Sequence, residues 1–72
     1  MRAVFLSNDL VALNFAEAAL RAEGVGCIVL DAATSAAEGS IGAIPRRLVV
    51  SAADAPAARR LLRDVGLDPY EG

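Results

Sequence analysis

Residues 3–30 read AVFLSNDLVALNFAEAALRAEGVGCIVL, and the order of elements in this stretch decides the fold. Ala3–Leu6 is a short apolar run with Val and Phe, stopped by Ser7-Asn8-Asp9. Such a run bounded by polar residues reads as a buried strand followed by a helix start. Asn8 is placed to accept from the orphan N–H groups of the first turn, and Asp9 stands where the helix dipole favours negative charge. The predicted helix runs from about Asp9 to Glu23. Val11, Phe15, Ala18, Ala19 and Ala22 recur at helical spacing and form its predicted buried face, with Asn14, Glu17 and Arg21 away from it. Gly24 ends the helix, since it takes the left-handed conformation without a Cβ penalty. Val25–Leu30 is the predicted second strand. Its contiguous Ile28, Val29 and Leu30 predict cover on both faces, and Gly26 weakens its start or admits a close backbone approach.

Further along, Leu48, Val49 and Val50 form the apolar run of a third strand, Arg46–Ser51. Ser51-x-x-Asp54 resembles a capping box with Asp in place of Glu, and Pro56 fits within the first turn of the helix that follows. That helix is expected over about Ala53–Val65, with Ala58, Leu61, Leu62 and Val65 as its buried stripe. Arg59, Arg60 and Arg63 lie on the outer side, and Gly66 caps the end. Leu67–Gly72 contains Pro69 and reads as a brief edge strand or a tail. Asp31–Pro45 has no clear period and holds Gly39, Gly42, Ile41 and Ile44. A loop of that length in a small domain is usually functional or disordered. The order β-α-β-loop-β-α, with a possible short fourth strand, points to an α+β, ferredoxin-like split βαβ sandwich spanning 1–72 as a single domain. Both helices would pack on one face of a mostly antiparallel sheet. The other face would stay open, and a homo-oligomer formed through that face is the expectation.

Composition narrows the function. The chain has 72 residues, a net charge of −2, and 56% apolar but only 4% aromatic residues. Alanine buries little area, so the core gains little per residue. All seven basic residues are arginine, and the acidic balance argues against nucleic acid as the partner. One cysteine, Cys27, excludes an internal disulfide and a thiolate metal cluster, and fits a reducing cytoplasm. The N-terminus has too short an apolar run for a signal peptide, and no segment approaches the ~20 apolar residues of a membrane span.

There is no histidine, which removes the commonest general acid–base and metal ligand. Ser35, Ser40 and Ser51 have no neighbouring base and read as turn and cap residues. Cys27 lies among apolar neighbours and reads as a buried, inert thiol. No enzyme activity, no metal and no cofactor are therefore expected. The segment Glu38–Arg47, EGSIGAIPRR, is the candidate binding region, with Glu38, Gly39, Gly42, Arg46 and Arg47 as its candidate residues. Gly39-Ser40-Ile41-Gly42 is a GxxG, the pattern with which KH domains clamp nucleic-acid backbone. Here it precedes a strand and carries no charge between its glycines. Its glycines permit turns, or its N–H groups form an anion nest beside Arg46 and Arg47.

Ser7-Asn8-Asp9 after a first strand, a helix closed by Gly24, the stretch Gly39-x-x-Gly42-x-Ile44-Pro45-x-Arg47-x-x-Val50, and an Ala-Arg-Arg-Leu-Leu helix together resemble a family of small bacterial proteins. It is the family called putative prokaryotic signal transducing proteins. The resemblance covers nearly the whole chain and rests on order and spacing. It implies a ferredoxin-like fold related to the nitrogen regulatory P-II proteins, and a regulatory or interaction role. The leading expectation is a cytoplasmic binding module acting by protein–protein contact through the Asp31–Arg47 loop or the open sheet face. The alternatives are a sensor of a small anionic ligand, such as a nucleotide or phosphate metabolite, and a structural subunit of a larger assembly.

Overall fold

The computed structural model describes residues 1–30 and 45–71. Strand β1 (Arg2–Ser7) leads to helix α1 (Leu10–Ala22) and strand β2 (Ile28–Leu30). Strand β3 (Arg46–Val50) runs through a 3-10 turn (Ala52–Asp54) into helix α2 (Ala55–Asp64). The sheet order is β1-β3-β2, and β3 is antiparallel to both neighbours. β1 and β2 are thus parallel, joined by the α1 crossover and separated by β3. This is the split βαβ arrangement expected from the sequence.

Each row across the sheet follows from the register. Phe5, Leu48 and Val29 stand in one row, and Leu48 and Val50 belong to the core beneath the helices. The register steps from Ala3↔Val49 to Phe5↔Leu48, leaving Val4 as the extra residue of a bulge. A bulge lets two consecutive residues escape strict alternation. Val4 and Phe5 are indeed both buried in the core. The fully buried side chains are Leu13, Leu20, Leu48, Leu62, Val4 and Val50, each contributing roughly 1.5–3 kcal/mol.

Both helices end alike. Gly24 has φ +81° and Gly66 φ +89°. The N–H groups of Gly24 and Val25 donate to the Arg21 and Leu20 carbonyls. Those of Gly66 and Leu67 donate to Arg63 and Leu62. These are two Schellman closures, in which the residue after glycine folds back onto the last turn. Val25 and Leu67 thereby reach the core cluster.

Several expectations need correction. α1 buries Leu13, Ala16 and Leu20, while Val11 and Phe15 face outward, 76% and 49% exposed. Apolar residues surround α1 on nearly every side, so period alone could not choose the face. The α1 cap is Asp9, whose Oδ1 accepts from Val11 N–H at 2.9 Å; Ser7 Oγ in turn accepts from Asp9 N–H. Asn8 is exposed. β2 is an edge strand with Ile28 and Leu30 exposed, not a strand covered on both faces. A Cβ at Gly26 would meet nothing within 4 Å, so no close approach explains that glycine. In α2 the buried residues are Ala55, Ala58 and Leu62, and Val65 is exposed. Ser51 caps as expected, its Oγ accepting from Asp54 N–H at 3.3 Å.

Residues 67–71 do not form a strand, yet they are tied to β1. Tyr70 N–H donates to the carbonyl of Val4, the bulged residue, at 2.6 Å. Arg59 is half-buried and turns inward, donating to Tyr70 O at 2.8 Å and Ala3 O at 3.2 Å. Arg63 pairs with Glu71 at 2.7 Å; both are exposed, so the pair is worth no more than about 1 kcal/mol.

Candidate functional site

Among the described residues, the sheet has one covered face and one open face. Both helices pack on β1 and touch each other, so they share a face. Alternation sends Val49 and Arg47 to the opposite side from Leu48 and Val50. The register then builds two rows on the open face: Ala3, Val49 and Ile28 in one, Leu6, Arg47 and Leu30 in the other. Val49 is 4% exposed, lying between Ala3 and Ile28 on its neighbours. Ile28 and Leu30 are 53% and 40% exposed. Arg47 is exposed between Leu6 and Leu30. The result is an apolar floor with one guanidinium, an arrangement suited to a partner surface with an apolar centre and an acceptor opposite the arginine.

Of the candidate binding residues, Glu38, Gly39 and Gly42 lie outside the described residues. Arg46 and Arg47 are consecutive in β3 and point to opposite faces. Arg46 is half-buried beside the helix-side row and pairs in register with Ser7; Arg47 joins the open face. The two arginines therefore do not converge on one ligand. Sequence reasoning missed Ile28 and Leu30 as surface residues, because a contiguous apolar run looks the same in an edge strand and a buried one. The run's brevity, between Gly26 and Asp31, was the available signal.

A hollow of about 300 Å³ opens at the start of α2, lined by Arg2, Ala52, Ala55, Pro56, Arg59 and Glu71. Two donors of Arg59 are taken there by backbone carbonyls. Cys27 is buried, and burial pushes its thiol pKa up, with Arg21 pulling down and Glu17 pushing up. Its Sγ lies 4.0 Å from Glu17 O, a weak contact at most. Arg21 is held more firmly as a cation by its hydrogen bond to Glu17, and it also donates to Cys27 O at 2.9 Å. That bond fastens the turn before β2 to α1. Among the described residues no three acidic, Cys or His side chains gather to hold a metal ion. No helix among them is long and apolar enough to cross a membrane.

The fold and the open apolar face define a small α+β domain of the ferredoxin-like, split βαβ class. Residues 1–66 match the family model described as putative prokaryotic signal transducing protein, and the chain belongs to that family. No curated protein and no solved structure matches it.

Proposed function

We propose that this domain is a non-catalytic binding module of bacterial cytoplasmic signalling that works by protein–protein contact at its open sheet face. The observation that carries this reading is the pair of rows Ala3-Val49-Ile28 and Leu6-Arg47-Leu30, apolar apart from one arginine. Apolar residues set side by side and left accessible favour a partner. The absence of histidine from the sequence and the raised, buried thiol of Cys27 support a role without catalysis. Leu30 and Arg47, which pair in register on this face, stand at the two ends of the segment between β2 and β3. The test is crosslinking and affinity capture from the producing bacterium with the wild-type chain and with Leu30→Glu and Arg47→Glu variants. Loss of the same captured partner in both variants is expected. Identical partner sets in all three would overturn the reading.

A second reading, a small anionic ligand, is favoured by the hollow at the start of α2, whose lining holds Arg2 and Arg59 against the single carboxylate of Glu71. Thermal-shift screening against nucleotides and organic phosphates tests it. A ligand at 100 times its dissociation constant stabilises by about 2.7 kcal/mol, and the shift should vanish in Arg2→Ala.

A further inference from the structure

We infer that the segment Leu67–Glu71 is a removable strap over the outer edge of β1, and that this edge takes an extended, acidic segment of a partner protein in the strap's place. Among the described residues β1 ends the sheet and pairs only with β3. An edge strand offers its free backbone N–H and carbonyl groups to any further strand. The strap makes one main-chain bond at this edge, from Tyr70 N–H to Val4 O at 2.6 Å. It stands where a fourth strand would, without the ladder of one. Pro69 has no N–H to bring to such a ladder.

Side chains do most of the fastening. Arg59 is the clasp: its Nε donates to Tyr70 O at 2.8 Å and its Nη2 to Ala3 O at 3.2 Å, so one guanidinium bridges strap and strand. Arg63 holds the Glu71 carboxylate at 2.7 Å. Asp68, Tyr70 and Glu71 are exposed, while Leu67 packs against the core. A segment with few buried apolar contacts and exposed hydrogen bonds opens at the low end of the local stabilities. Leu67 stays anchored by the closure at Gly66, and the chain parts from β1 beyond it.

The groups left behind state what replaces the strap. An incoming extended segment has to bring an N–H to Val4 O, a carbonyl to Arg59 and a carboxylate to Arg63. The surroundings are basic, since Arg2 and Arg59 line the hollow that Glu71 shares. That charge selects an acidic segment. The mode is strand addition, in which main-chain bonds give affinity and side chains give specificity. The β1 edge lies apart from the open sheet face, so this inference does not rest on the reading proposed for that face.

Tyr70 is the chain's only tyrosine, so fluorine NMR of the full chain carrying fluorotyrosine reads the strap alone. Glu71→Lys turns an attraction to Arg63 into repulsion and leaves Arg59, Ala3 and Val4 in place. Its fluorine resonance should move toward the position seen in urea. The probe is a fluorescein-labelled peptide of the strap's own sequence, LDPYE. The tethered strap competes at an effective concentration in the millimolar range, so the peptide should bind Glu71→Lys at least about tenfold more tightly than the wild type. Adding Arg59→Ala to Glu71→Lys should abolish binding, with folding checked by circular dichroism. The peptide LDPYK, which meets Arg63 with like charge, should also fail to bind, and this arm needs no further change to the protein. Equal affinity of wild type and Glu71→Lys overturns the proposal. So does binding that survives Arg59→Ala, equal binding of LDPYE and LDPYK, or a fluorine resonance that Glu71→Lys leaves in place.

Discussion

The two helices among the described residues cover the same face of one sheet and close with the same glycine motif, yet their sequences specify them to different degrees. α2 carries Arg60, Arg63 and Asp64 away from Ala55, Ala58 and Leu62. Its polar residues leave one apolar side, and that side is buried. α1 is apolar almost all round, with Leu10, Val11 and Phe15 exposed opposite Leu13, Ala16 and Leu20. Hydrophobic period locates a helix in both cases. It orients the helix only where a polar face opposes the apolar one.

The largest effects should separate the two sides of α1. Leu13→Ala and Leu62→Ala remove fully buried side chains and should each cost about 2–5 kcal/mol in urea unfolding. Val11→Ala should cost no more than about 0.5 kcal/mol in dilute, monomeric protein. Equal losses for Val11→Ala and Leu13→Ala would reverse the assigned orientation of α1.

Next come the shared closures. Gly24→Ala and Gly66→Ala force a left-handed residue to carry a Cβ, at about 1–2 kcal/mol each. Neither Cβ would meet another atom within 4 Å, so the two losses should agree closely. A large difference would show that the two helix ends are not equivalent.

The helix starts contrast more sharply. Asp9→Ala removes the α1 cap and Ser51→Ala the hydroxyl that receives Asp54 N–H, each about 1 kcal/mol. Asn8→Ala should leave the thermal midpoint nearly unchanged.

The smallest effect lies in the turn that α1 fastens through Arg21. Burial raises the folded thiol pKa of Cys27, so the folded state holds that proton more tightly than the unfolded chain. Its contribution is present below the unfolded value of about 8.5 and is lost as pH rises through the folded value. Denaturant titrations from pH 7 to 10 should show stability falling at the alkaline end, with a shallower fall in Cys27→Ala.

Much of the fold was legible. The β1, β3 and α2 cores, the Ser51 cap, Pro56 in the first turn and both terminal glycines follow local rules of period and backbone geometry. The α1 cap was misplaced by one residue, because Asn8 and Asp9 are both competent caps and backbone direction decides between them. The candidate site was less legible. Arg46 and Arg47 look like a pair in the sequence, but a strand turns them to opposite faces. Arg59 reads as part of a solvated stripe, whereas it holds Tyr70 and Ala3 carbonyls some distance away along the chain.

By itself the sequence determined the order of strands and helices and the glycines that close both helices, because glycine conformation and side-chain period are local; β2 begins at Ile28 where the apolar pattern places its start at Val25. Which side of an all-apolar helix goes inward, and which of three successive apolar strand residues stays exposed, were decided only by tertiary structure. These depend on the bulge at Val4, the placing of β3 between β1 and β2, and the volume left between sheet and helices. All of them are properties of residues far apart in the chain.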